Sequence, residues 1–364
     1  MRRHLHRVIL IAALQAISLF AQTAPTNLLY VLNNDPAGNA ITIIQRTPEN
    51  GFVMLGVVPT GGRGLGHGLE SQAPLQSNEN GTLLFAVNAA SDTVSVLRVS
   101  GTTLELIGTY PSGGTLPVSV AVRGNRVYVL NQGSGGNVAG FTLGEDGALT
   151  PIPGGTKGLS AAGTGGAQAA FTPDGTRLVV TELLGNVISI YPVNENGTLG
   201  DADVYRSRGR GPFGFSFDAR GFLLVSEAFG RGSGLSSASS YTFRKERLRP
   251  LSGAISTLQR AACWLVVTSD THLAFTSNTP SGTITAFSVS ERGRLRRIPR
   301  NGISGDTGPS SAPTEMALSP DQKTLYAICV GTRQLAAFSI APDGTLTASG
   351  VVDIPAFGAG LIAR

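Results

Sequence analysis

The chain has 364 residues, 41% hydrophobic, 14% charged and 6% aromatic, with 48 glycines and a formal charge of +5. Glycine at nearly twice its usual share of roughly 7%, with no Gly-X-Y period, excludes collagen, and the hydrophobic fraction excludes a disordered chain. No apolar run reaches the roughly 18 residues of a bilayer span, so a polytopic membrane protein is excluded and a turn-rich, all-β globular protein is indicated.

In chain order, the first element is a leader. Arg2, Arg3 and Arg7 precede the short apolar stretch Val8–Phe20, and the small and polar residues Ala21-Gln22-Thr23-Ala24-Pro25 follow. That order is the signature of a secretory signal peptide, and the apolar stretch is too short to span a bilayer. The reading is a signal peptide over 1–21, a short linker over 22–25 and one domain over 26–364, secreted or periplasmic, with no membrane span. Loss of the three leader arginines would lower the charge from +5 to +2, so overall basicity gives no case for nucleic acid. Cys263 and Cys329 are too few for a disulfide framework in an oxidising compartment.

A repeat follows. Its unit is a short apolar strand, a tight turn, a strand ending in Asn or Glu, a small polar loop, a third strand, a second turn and a last strand. Residues 83–110 show it, and copies recur at 177–198, 273–294 and 325–344. The turns carry Asn80-Gly81, Asp146-Gly147, Asp174-Gly175, Asn196-Gly197 and Asp343-Gly344, pairs that tolerate the positive φ of two-residue hairpin turns. The second strands end at Asn33, Asn88, Asn131, Glu182, Glu227, Asn278 and Cys329. Their spacing of roughly 50 residues is that of propeller blades. The fold class is therefore an all-β, seven-bladed β-propeller with four antiparallel strands per blade. The first module lacks its opening strand, and Phe357–Arg364 is read as supplying it, so that the C-terminal strand closes blade one and leaves no exposed edge.

The candidate functional residues also run in chain order. His67 lies in the glycine-rich loop Thr60–Gly68 beside Arg63 and Glu70, and is read as the imidazole nearest the channel mouth; His272 falls on a turn and is read as solvated. The loop fits neither GxxxxGK[ST] nor a GxGxxG before a helix. Asn88, Asn131 and Asn278, with Asn33, read as a polar ring at one mouth or as braces for loop backbone. Glu182 and Glu227 break that pattern in adjacent blades. They are read as sharing a proton, holding a divalent cation, dividing acid and base roles, or pairing with arginines. No cofactor is otherwise implied, and no CxxC or HxxxH metal spacing occurs. Gln72, Gln168, Trp264 and Glu315 are placed on the innermost, channel-lining strands. Trp264 is either core or a stacking platform for a ring-shaped ligand. Cys263 and Cys329 fall on strands that are not neighbours, which argues against a disulfide. Basic runs at Arg244–Arg249 and Arg292–Arg300 map to outer hairpins of blades five and six, as solvated edge charge or as a surface for an anionic partner.

With these residues in view, the chain resembles the seven-bladed propeller lactonase family of 6-phosphogluconolactonase-type and carboxymuconate-lactonising enzymes. The phrases that carry the likeness are Thr172-Pro173-Asp174-Gly175, Ala262-Cys263-Trp264, Ser281-Gly282-Thr283-Ile284 and Pro313–Ser319. The resemblance implies a propeller over 26–364 acting on a small lactone or sugar acid. Family members resemble one another in a Pro-His segment before the Pro-Asp-Gly turn and in a Gly-Pro-Arg segment one blade later. Here the first is Gly165–Phe171, without histidine, and the second is Gly211-Pro212-Phe213, with Phe213 at the arginine position. The acidic position is kept as Ser226-Glu227. Two functions stay open: a monomeric lactonase or lactonising enzyme with Glu227, Glu182 and His67 catalytic and Arg63, Gln72, Asn88, Asn131, Gln168, Trp264, Asn278 and Glu315 binding substrate, or a propeller that binds a ligand or partner without turnover.

Overall fold

The second strand of each module is mainly apolar and buried along all or nearly all of its length, as in LLYVLN (28–33) and LAFTSN (273–278). Continuous burial of this kind requires cover on both faces, which a ring of sheets packed face to face provides. Outer strands such as Phe52–Pro59 alternate between exposed and partly covered positions, as expected where only one face meets a neighbour. Hairpin turns at Gly197 and Gly344 hold φ of 81° and 83°, a conformation that glycine adopts without a Cβ penalty.

The computed structural model describes residues 27–229 and 236–364. The signal peptide read over 1–21 and the linker over 22–25 lie outside the described residues. The strands form seven antiparallel sheets. From the inside outward, blade one is Gly358–Ala363, Leu28–Asn33, Ala40–Arg46 and Phe52–Pro59. Its inner strand comes from the end of the chain: Tyr30 pairs with Ile362 and Val31 with Leu361, the closure the sequence implies.

The inner strands of blades two to seven are Leu75–Ser77, Pro117–Arg123, Gly166–Phe171, Pro212–Phe217, Ala262–Val267 and Pro313–Leu318. Each touches the next, and the strand of blade one touches those of blades two and seven, so the ring is closed. In blade six the outer strand is split into Leu295–Arg297 and Gly305–Asp306, both paired with Thr283–Val289. Pro299 lies in the break, where its missing N–H cannot serve the ladder.

The geometry gives the ring two unlike faces. Inner strands begin, and second strands end, at what we call the upper face. Inner strands end at the lower face. The basic outer hairpins are solvated: Arg292, Arg294, Arg296 and Arg300 are exposed, as is His272, whereas Arg297 turns inward to the carbonyl of Ser256. No helix among the described residues is long and apolar enough to cross a membrane.

Candidate functional site

The axis of the ring is closed by three residues, Ser71 to Ala73, that precede the inner strand of blade two. The Ser71 hydroxyl donates to the Val118 carbonyl of blade three (2.8 Å), and the Gln72 N–H donates to Ala167 of blade four (2.9 Å). The Gln72 side chain reaches blade six, where Nε2 donates to the Leu265 carbonyl and Oε1 accepts from the Leu265 N–H, both at 2.9 Å. The Ala73 N–H donates to Glu315 Oε2 of blade seven (3.1 Å), and the Trp264 indole donates to the Ser71 carbonyl (2.9 Å). A segment bonded at once to blades on opposite sides of the ring must lie across its centre.

Gly214 of blade five completes the fit. A Cβ there would stand 1.9 Å from Gln72 Oε1, so only glycine leaves room for this strap. Glu70 and Ala73 hold φ of 50° and 64°, a left-handed conformation rarely adopted by side-chain-bearing residues and sustained only where surrounding contacts over-determine it. Gln72 thus stands in the strap, just before its strand, rather than on the innermost strand where the sequence placed it.

Above the strap is a cavity of about 470 Å³, within the range of small-molecule sites. Its walls include His67, Glu70, Trp264, Pro280, Thr314 and Phe357. His67 Nδ1 lies 2.9 Å from the Gly68 carbonyl. A carbonyl only accepts, so this contact places the proton on Nδ1 and leaves Nε2 as a free acceptor. The loop that carries the imidazole is clamped by Asn34, whose side chain donates to the His67 carbonyl (2.5 Å) and accepts from the Leu65 N–H (2.9 Å).

Trp264 is held edge-on by Phe213, with ring centroids 5.0 Å apart. Phe213, which stands where the sequence resemblance implies an arginine, therefore supports the aromatic wall from behind. Glu315, buried between Trp264 and the strap, has its carboxyl pushed well above the usual carboxylate range by that burial. The Cys263 thiol on the same wall is likewise raised by burial and by the nearby Glu70, which leaves it without nucleophilic character. Both cysteines are buried free thiols. Arg63 is exposed outside the cavity, its backbone tied to Ser91 and Ala90.

The strand-end residues are not a ring open to the mouth. Asn88, Asn131, Asn278, Glu182 and Glu227 have no exposed surface. Each faces the third strand of its own blade or the loop arriving from the preceding one. In five blades the partner is a hydroxyl two residues into the third strand: Asn33 with Thr42 (3.0 Å), Asn88 with Ser95 (2.8 Å), Asn278 with Thr285 (2.9 Å), Glu182 with Ser189, and Glu227 with Ser239 (2.5 Å).

Glu182 also takes the N–H and hydroxyl of Ser160, and Glu227 takes the Gly209 N–H (2.7 Å) and the Ser237 hydroxyl (2.5 Å). Burial raises the Glu227 carboxyl against the pull of these donors. Among the described residues neither glutamate pairs with an arginine. In the remaining two blades alanine replaces the hydroxyl. Ala139 lies in the third strand beside Asn131, and Ala336 lies in that beside Cys329; Asn131 Oδ1 has no partner among the described residues, as is also true of Asn278 Oδ1 in blade six.

Of the residues singled out from sequence, the upper cavity therefore gathers His67 and Trp264, with Glu315 directly behind. Gln72 and Gln168 line a separate cavity below the strap. Among the described residues no group of three His, Cys, Asp or Glu is placed to hold a metal. Asn34 and the strap were not singled out, and only the glycine-rich run between them marks the region.

Seven closed blades around a strapped axis, with a ligand-sized cavity at one mouth, define the class. Residues 28–160, blades one to three, match the family described as Lactonase, 7-bladed beta-propeller. Among solved structures it is similar to a candidate 6-phosphogluconolactonase of Bacteroides fragilis (18% identity, TM-score 0.73, covering 94% of this chain and 99% of that one). It is similar to the periplasmic gluconolactonase of Pseudomonas aeruginosa (18%, TM-score 0.73, 92% and 98%) and to a protein from Lactobacillus plantarum (19%, TM-score 0.75, 92% and 98%). At these identities the likeness is one of fold. No curated protein matches the chain.

Proposed function

We propose that the upper cavity binds a small lactone and opens its ring, with His67 as the general base. The observation that carries this reading is the His67 imidazole, whose Nδ1–H is engaged by Gly68 and whose Nε2 is free on the wall of a ligand-sized cavity. In that role Nε2 takes a proton from water as the water oxygen attacks the ester carbonyl. The ring C–O bond then breaks, and the imidazolium returns the proton to the departing alkoxide. Trp264, Pro280 and Phe357 would cover the apolar face of the ring. Glu182 and Glu227 act in this reading as braces. Their acceptor positions are filled by N–H and O–H donors, so neither reaches the substrate.

The test is turnover on sugar and aryl lactones by the purified protein. His67→Ala should lower kcat/KM by about 10²–10⁴-fold with the fold intact. Wild-type protein inert across the panel, or His67→Ala with unchanged kcat/KM, would overturn the reading. One observation favours a second reading, binding without turnover: among the described residues no lysine or arginine lines the cavity to stabilise an oxyanion, a contribution worth about 10²–10³ in rate. Saturable quenching of Trp264 with no product would decide for it. The leader signature at 1–21 supports export to a secreted or periplasmic location, tested by N-terminal sequencing of the exported protein. An anionic partner at Arg292–Arg300 would show as binding that weakens steeply with salt.

A further inference from the structure

Below the strap the axis opens into a second cavity, of about 590 Å³. Its walls are the last residues of five inner strands, including Val122, Phe171, Phe217, Val267 and Leu318, each partly buried. Its inner end is polar, formed by the amides of Gln72 and Gln168. They differ in one respect. The Gln72 amide is satisfied at both atoms by Leu265. Gln168 has only its oxygen engaged, accepting the Phe215 N–H at 2.6 Å. A backbone N–H only donates, so this bond fixes the oxygen toward Phe215 and turns Nε2 the other way. The residue is 5% exposed, and Nε2, which has no partner among the described residues, faces the cavity.

We infer that the lower cavity is a binding site for a neutral ring compound bearing a carbonyl, whose oxygen accepts from Gln168 Nε2. The Gln168 Nε2 N–H opens on the cavity, so an acceptor placed there takes over a site otherwise filled by water and adds about 0.5–1.5 kcal/mol. The acceptor must be uncharged, because a carboxylate brought to a neutral amide would lose its hydration without a compensating cation. The one cation on this wall, Arg123, sits at the solvent rim and faces Glu79 at 4.0 Å. A ring suits the walls, where apolar side chains from five blades stand beside polar ones such as Thr172 and Ser216 around a small-molecule volume. This site stands apart from the upper cavity and does not depend on the reaction proposed there.

Benzamide serves as the probe, with benzoate and toluene as the charged and acceptor-free comparisons, measured by calorimetry on the whole chain. Benzamide should bind about tenfold or more tightly than either. Gln168→Met should weaken it by about tenfold, and Val122→Trp, which fills the rim and leaves Gln168 in place, should weaken it at least as much. His67→Ala should leave it unchanged. Should Gln168→Met fail to fold, Val122→Trp decides alone. Absence of benzamide binding, equal binding of benzoate, or binding lost in His67→Ala and kept in Val122→Trp would overturn the inference.

Discussion

Glu227 and Trp264 sit at the same upper face in adjacent blades, one at the end of a second strand and the other near the start of an inner strand. Glu227 meets four donors from its own fold and no solvent. Trp264 spends its single N–H on the strap and presents its ring to an open cavity. The same depth in neighbouring wedges therefore yields a fastener in one position and a wall of a site in the other. What separates them is spare valence: a side chain saturated by its own backbone has nothing left for a ligand.

That contrast can be broken at either end. The largest effect should follow Glu227→Ala, which strands the Ser237 and Ser239 hydroxyls and the Gly209 N–H. Unpaired buried groups cost about 1–3 kcal/mol each, so a loss of about 3 kcal/mol or more is expected in urea unfolding, with an unchanged m-value. A change within about 0.5 kcal/mol would place Glu227 among ordinary surface positions.

Next comes Gly214→Ala, which drives a methyl into Gln72 Oε1 and the Cys263 carbonyl and should cost about 2 kcal/mol by overpacking. Combined with Gln72→Ala the two losses should be non-additive, since the second change removes the closer of the two contacts. Simple additivity would show that the strap does not rest on Gly214.

Glu315→Gln tests the carboxyl against the strap. The folded-state carboxyl titrates above its unfolded value, so its stabilising contribution is complete below about pH 4.5 and fades as pH rises through the raised value. The glutamine variant should lose less stability than wild type as pH climbs from 4.5 toward neutrality. Glu227 shifts in the same direction, so the slope should fall rather than vanish. Parallel stability profiles for the two proteins would contradict the assignment.

The smallest effect is a gain. Ala139→Ser places a hydroxyl where five other blades carry one, beside the unpartnered Asn131 Oδ1, and should add about 0.5–1 kcal/mol. Loss of stability instead would break the fastening rule.

The fold was legible because its determinants are local and repeated. Asn-Gly turns at 80–81 and 196–197, Asp-Gly turns at 146–147 and 174–175 and mainly apolar second strands recur along the chain, and a regular period implies closure of the chain end onto residues 28–33. The hydroxyl partners were not singled out from sequence, although their offset is regular once the strand register is known. Ser237 and Ser239 alternate on one face of a strand opposite Glu227, and the same Ser or Thr offset recurs at 42, 95, 189 and 285. The strap was not legible, since Gln72 finds Leu265 at a sequence separation of 193 and no local pattern announces a side chain that pairs across the axis. Glu182 and Glu227 look in sequence like catalytic acids because composition names the carboxyl group and leaves out its donors. Phe213 reads as a lost arginine until its edge is found against Trp264.

Trp264 is the sole tryptophan of the chain and lies in the wall of the upper cavity, so its fluorescence reports on that cavity alone. Titration of wild type, His67→Ala and Glu227→Gln with a lactone from the panel should give a saturable change in wild type and in folded Glu227→Gln, and a change weakened by about tenfold or more in His67→Ala. A signal indifferent to His67, or one abolished in a well-folded Glu227→Gln, would contradict the division between fastening residues and site.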